Sequence, residues 1–145
     1  MKEIKRVFVD TSIFINFIEG HEIFGSKANN FLKHCLTNQI EMKTSAISYI
    51  EFCVMPYQKN RFDVIDSFKE LIIDLDMSIY SINLKIADLA AKLRGKYKFL
   101  KGMDAFQIAT AIYSGSDHFI TKDKKLQSIS EIEIIIIEEW QQRIF

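Results

Sequence analysis

VFVDTSIF, residues 7–14, decides how the chain is read. Three β-formers, Val7, Phe8 and Val9, run into an acid, Asp10, and two hydroxyls, Thr11 and Ser12. An apolar stretch at 13–18 then has the pattern of a helix start. A continuous apolar run ending this way marks a strand buried on both faces, as in a parallel sheet. Runs of the same kind place strands at 4–9, 118–121 and 133–137, with weaker signals at 41–45 and 77–80. Helical periodicity fills the intervals at 26–36, 46–57, 61–71, 84–97 and 103–113. Strands separated by helices, with no hairpin dipeptide, predict a doubly wound α/β fold. Such folds bind ligands beyond the carboxyl ends of their strands, where strand order reverses. Asp10 stands at one such strand end.

A length of 145 residues predicts one domain, spanning 1–145, with a substantial core. With 48% hydrophobic and 26% charged residues and a single proline, the chain is an ordinary globular protein. The formal net charge is zero, so binding a polyanion would need a local basic stripe. Cys35 and Cys53 form no C-x-x-C pair and lie in apolar patterns, as expected of reduced, buried thiols in the cytoplasm. The apolar run after the basic N-terminus is short and broken by Asp10, unlike a secretory signal. The run at 132–137 is too short to span a membrane.

Four acids stand apart from the rest, and each has an ordinary alternative. Asp10 suits a helix N-cap, and so does Asp123, before a short turn that runs to Leu126. Asp104 with Gln107 three residues on resembles a capping box. Glu51 falls on a helical arc with Ile47, Val54 and Met55, which predicts a carboxylate that is buried or faces a cleft. Burying it unpaired would cost several kcal/mol. Asp117 precedes its strand and is expected at the opposite edge of the sheet. Four carboxylates converging at one edge would suit a hard dication such as Mg²⁺ or Mn²⁺. His21, His34 and His118 are scattered, so zinc is not expected.

Taken together, VFVDTSIFINF (7–17), SAISYIEF (45–52), KGMDAFQIATAI (101–112) and FITKDKKL (119–126) resemble, in order, the four motifs of the PIN-domain superfamily. They are particularly similar to the VapC-type toxins of toxin–antitoxin pairs. The resemblance implies a three-layer α/β/α domain with a five-stranded parallel sheet of order 3-2-1-4-5. It also implies Mg²⁺- or Mn²⁺-dependent endoribonuclease activity, in which water attacks phosphorus in line and leaves 5′-phosphate and 3′-hydroxyl ends. Asp10 would be the main metal ligand, Glu51 and Asp104 would complete the pocket, and Asp123 would be the more variable fourth acid. Thr11 or Ser12, and Thr121, match hydroxyl positions that orient a carboxylate, water or phosphate. Met103 stands where many relatives carry proline and is compatible with a helix start. A VapB-like antitoxin and a homodimer are the partners the resemblance implies.

Lys92, Arg94, Lys96, Lys98 and Lys101 precede Asp104, and Lys122, Lys124 and Lys125 flank Asp123. A solvated helix end is the plain explanation. Their place beside two of the acids makes Arg94, Lys101, Lys122 and Lys124 candidate RNA-phosphate contacts, with Arg94 best suited by its forked geometry. Eight of the twelve phenylalanines lie in the first half, mostly as core. The resemblance places an antitoxin groove in this half, with Phe14 and Phe17 as candidate lining. An aspartyl-phosphate phosphatase would need an acid where Ser12 stands, and a receiver-like phosphoacceptor would need an acid pair near strand one. A PIN nuclease in housekeeping RNA processing, without an antitoxin, is the remaining alternative. A non-catalytic binding domain fits poorly with all four acids present.

Overall fold

The protein is described by a computed structural model covering residues 2–20 and 22–141. Chain order is β1 (Arg6–Val9), α1 (Thr11–Glu19), α2 (Glu22–Thr37), β2 (Glu41–Ser45), α3 (Ala46–Gln58), α4 (Phe62–Asp74) and β3 (Ser78–Tyr80). Then follow α5 (Leu84–Lys96), α6 (Gly102–Tyr113), β4 (His118–Thr121), a 3-10 turn (Lys124–Ser128) and β5 (Glu133–Ile136). The strands form one parallel sheet in the order β3-β2-β1-β4-β5. The expected three-layer fold and strand order are both present.

Alternation along the central strands sends side chains into two separate cores. Val7, Val9 and Ile120 face one layer, where α1 to α4 supply Phe14, Phe31, Phe52 and Phe68. Phe8 and Phe119 face the other, against Ile86 and Leu93 of α5 and Ile108 of α6. Phe8 and Phe119 stack in parallel across β1 and β4, with ring centroids 5.4 Å apart. With β1 and β4 covered on both faces, an unbroken apolar run is what their positions require.

Helix α2 begins four residues before its apolar periodicity does, and it packs against α1. Gly20 closes α1 in the left-handed region, at φ 66°. Gly25 lets the helices touch: a Cβ there would lie 2.9 Å from the Asn16 carbonyl oxygen. Periodicity also runs short in α4, which continues to Asp74. Both cysteines are free and buried. No helix among the described residues is long and apolar enough to cross a membrane.

Candidate active site

The carboxyl ends of β1 and β4, the central neighbours at which strand order reverses, carry the first group of polar side chains. Asp10 occupies the N-cap position of α1, but its side chain makes no capping hydrogen bond. Its Oδ2 instead accepts from Ser12 Oγ at 3.0 Å and from Thr121 Oγ1 at 2.8 Å. Each hydroxyl is itself held by the opposite segment. Lys122 N–H donates to Ser12 Oγ at 3.1 Å, and Asp123 N–H to Thr121 Oγ1 at 3.1 Å. Thr11 and Ser12 therefore leave capping aside: one serves Asp10, the other Glu51. Burial pushes the Asp10 carboxyl above the ordinary 3.8, against the hydrogen bonds from Thr121 and Ser12, and the Glu51 charge adds to the rise.

The capping-box reading of Asp104 is not what the structure shows. Lys101 holds the N-cap position of α6, which puts Asp104 in the first turn, while Gln107 turns inward to other partners. Asp104 is half-buried, and its carboxyl is raised by burial first and then by the charges of Asp10 and Asp123, with Lys101 opposing. Three acids from β1, α6 and the end of β4 thus share one electrostatic neighbourhood. Asp123 also caps the 3-10 turn, accepting from Lys125 N–H at 3.0 Å, so its two expected roles coexist.

Glu51 requires a correction. Of its arc on α3, Val54 and Met55 are about half exposed and Ile47 is half-buried, and Glu51 itself is exposed. Apolar composition did not imply burial here, because this face of α3 is left open among the described residues. Its carboxylate nevertheless turns toward the site, where Oε1 accepts from Thr11 Oγ1 at 2.8 Å.

Phe14 is also corrected. It is fully buried, edge-on to Phe68 at 5.3 Å, so it fills the core and offers nothing to a docking segment. Phe17 is half-buried against the same cluster. Among the cations, Lys92 pairs with Asp88, Lys96 with Glu131 and Lys124 with Glu138. Lys122 Nζ lies 4.4 Å from the centroid of the Phe24 ring. Arg94 Nε donates to the Leu100 carbonyl at 3.3 Å, which ties the α5–α6 loop to its helix. His118 is buried beside Asp117 at the amino edge of the sheet, far from the acids in the topology. Asp117 accepts there from the Lys5 and Arg6 amides. His34 packs edge-on against Trp140, and His21 lies outside the described residues.

Beneath the acids lies a buried polar layer formed by Thr11, Thr44, Ser45, Ser48 and Gln107. The hydroxyls of KTSAIS (43–48) were its only sequence signal, and in an apolar context they read as ordinary strand and cap residues.

A site made of carboxylates and hydroxyls offers hard oxygen donors, suited to Mg²⁺ or Mn²⁺ rather than zinc. Among the described residues no three His, Cys, Asp or Glu side chains gather tightly enough to enclose an ion. A hydrated Mg²⁺ is bound through one or two carboxylates and keeps several waters. Asp10, raised by burial and the Glu51 charge, and Asp104, raised by burial and the charges of Asp10 and Asp123, are the two that a cation would relieve most.

The same shifts set a pH dependence. Between 3.8 and their raised values, Asp10 and Asp104 bind more protons in the folded than in the unfolded state, so their contribution to stability falls as pH rises. Acidifying the metal-free protein from neutral pH is therefore expected to raise its Tm at first. Glu131, held below its ordinary 4.5 by the Tyr97 hydroxyl, gives a loss only at lower pH. Thermal unfolding at stepped pH checks this. A Tm that declines from the first step below neutrality contradicts it.

The PIN domain family model matches residues 7–132. No curated protein matches the chain in sequence. Among solved structures, VapBC2 from Rickettsia felis, bound to a DNA fragment of its promoter, is similar with a TM-score of 0.74 and 16% identity, covering 90% of this chain and 98% of that one. A toxin–antitoxin complex from Klebsiella pneumoniae has a TM-score of 0.68 and 22% identity, over 90% and 97% of the two chains. VapC20 of Mycobacterium tuberculosis, described as a sarcin–ricin loop cleaving toxin, has a TM-score of 0.65 and 12% identity, over 87% and 98%.

Proposed function

Because the chain belongs to the PIN domain family, we propose that it is a Mg²⁺- or Mn²⁺-dependent endoribonuclease, the toxin of a VapBC-type pair. The observation that carries this reading is the pinning of Asp10 between Ser12 and Thr121 at the β1–β4 switch, within reach of the charges of Glu51 and Asp104. Asp10 and Asp104 would hold the ion, with Glu51 and Asp123 at its margin. A bound dication supplies activation of water and neutralisation of charge on the phosphate. The protein's own part is to hold these carboxylates in register. Ser12 and Thr121 fix Asp10, Thr11 fixes Glu51, and Lys125 N–H fixes Asp123.

Arg94 and Lys101, at the approach to α6, and Lys122 and Lys124, after β4, would hold the strand by its phosphates without reading bases. RNA as substrate is supported by the mycobacterial neighbour, and an antitoxin partner by the Rickettsia and Klebsiella complexes. The exposed apolar face of α3, with Ile50, Val54, Met55 and Tyr57, would be covered in a homodimer or by the antitoxin. The protein would act in the cytoplasm.

Metal removal tests the reading. Labelled single-stranded RNA and DNA of one sequence, incubated with purified protein and Mg²⁺ or Mn²⁺, should show cleavage of the RNA that EDTA abolishes and added cation restores. Cleavage indifferent to EDTA, or none with either ion, would overturn it.

A further inference from the structure

Glu51 is a long, exposed side chain, and the Thr11 hydroxyl makes its one hydrogen bond among the described residues. What fixes that hydroxyl lies in the buried layer below. Each hydroxyl has a single hydrogen, and a carbonyl only accepts. Thr44 Oγ1 is 2.9 Å from the Val9 carbonyl oxygen and gives it that hydrogen. The 2.8 Å contact between the Thr44 and Ser48 hydroxyls then uses the hydrogen of Ser48. Ser48, its hydrogen spent on Thr44, can only accept from the Gln107 amide, so Nε2 faces Ser48 and Oε1 accepts from Ser45 Oγ at 2.5 Å. Gln107 Nε2 therefore points its two hydrogens at Ser48 Oγ, 2.6 Å away, and Thr11 Oγ1, 3.3 Å away. Thr11, which accepts from Gln107, keeps its own hydrogen for Glu51, a charged acceptor at 2.8 Å against the 3.2 Å of Ser48.

Given the metal-nuclease reading above, on which this rests, we propose that Gln107 is a positioning residue that sets Glu51 through the Thr11 hydroxyl. Gln107 is 1% exposed and lies one helical turn beyond Asp104 on α6. One helix therefore presents one acid directly and orients a second, on α3, through the buried layer. Methionine at 107 would keep the volume and remove both amide hydrogens, which frees the Thr11 hydroxyl to turn toward Ser48.

Calorimetric titration with Mn²⁺ tests this without reference to turnover. Gln107→Met and Thr11→Val should each weaken Mn²⁺ binding about tenfold, the low end of what outer-shell partners of metal ligands contribute. Thr11→Ser, which keeps the hydroxyl, should stay within about twofold of the unaltered protein. In a Glu51→Gln background, Gln107→Met and Thr11→Val should change the affinity by less than about twofold, because coupled residues are not additive. The same tenfold loss in both backgrounds would mean that Gln107 acts on the fold and not on Glu51, which overturns the proposal. So would unaltered binding by Gln107→Met. If that variant fails to fold, the Thr11→Val and Thr11→Ser pair in the two backgrounds decides by the same criterion. No Mn²⁺ binding by the unaltered protein would overturn the metal reading itself, and this inference with it.

Discussion

Asp10→Asn should cut RNA cleavage at saturating Mn²⁺ by about 10³-fold, because a bound metal contributes several kcal/mol of charge stabilisation and each 1.36 kcal/mol is tenfold in rate. The same change should raise the Tm of the metal-free protein. Burial holds the Asp10 carboxyl above its ordinary value, so at neutral pH, where the unfolded chain carries this group ionised, placing it in the fold opposes folding. Asparagine removes that charge and keeps an oxygen to accept from Ser12 and Thr121. Loss of function with gain of stability marks a residue kept for its chemistry. Steady-state cleavage and calorimetric unfolding of both forms measure the two effects. A variant that is both inactive and less stable would place Asp10 among the structural residues instead.

The second large effect lies in the core. Phe68 is 1% exposed and stacks on Phe52 at 4.2 Å, with Phe14 edge-on at 5.3 Å and Tyr49 at 6.0 Å. It is the ring through which α4 meets both α1 and α3. Phe68→Ala removes those contacts and leaves a cavity that three neighbouring rings cannot collapse to fill. The expected cost is about 3–5 kcal/mol, a large share of the roughly 5–15 kcal/mol that holds a domain of this kind together. Urea unfolding should show the midpoint falling with the slope preserved. A loss below about 1.5 kcal/mol would show that the aromatic cluster repacks freely. Phe52 adjoins Glu51 in α3, so the same substitution should loosen one site carboxylate from beneath.

Much of this was legible in the sequence, for reasons that differ between elements. β1 and β4 announced themselves because both faces are buried, which leaves no room for polar residues until the strand ends. Asp10 and Asp123 were readable for the same reason: an acid at the end of such a strand stands at the sheet's carboxyl edge. α2 was cut short because its first turn is held by a glycine-mediated contact with α1, which hydrophobic periodicity does not record. Glu51 was placed on an apolar arc correctly, but the arc faces outward, and periodicity cannot tell a core face from an unpartnered one. Phe14 failed in the opposite sense, since a groove-lining ring and a core ring look alike in sequence. Gln107 reads as half of a capping box because local spacing suggests it. Its real partners, Ser45, Ser48 and Thr11, come from two other elements and meet it only in the folded protein.

The chemistry of the cut ends tests the central claim most directly. RNA digested by the purified protein in Mn²⁺ should carry 5′-phosphate and 3′-hydroxyl termini, the products of water attacking phosphorus under carboxylate-held metal. Termini bearing 2′,3′-cyclic phosphate and 5′-hydroxyl would mean that the RNA's own 2′-hydroxyl is the nucleophile. That result would contradict a site built from Asp10, Glu51, Asp104 and Asp123 to hold a metal.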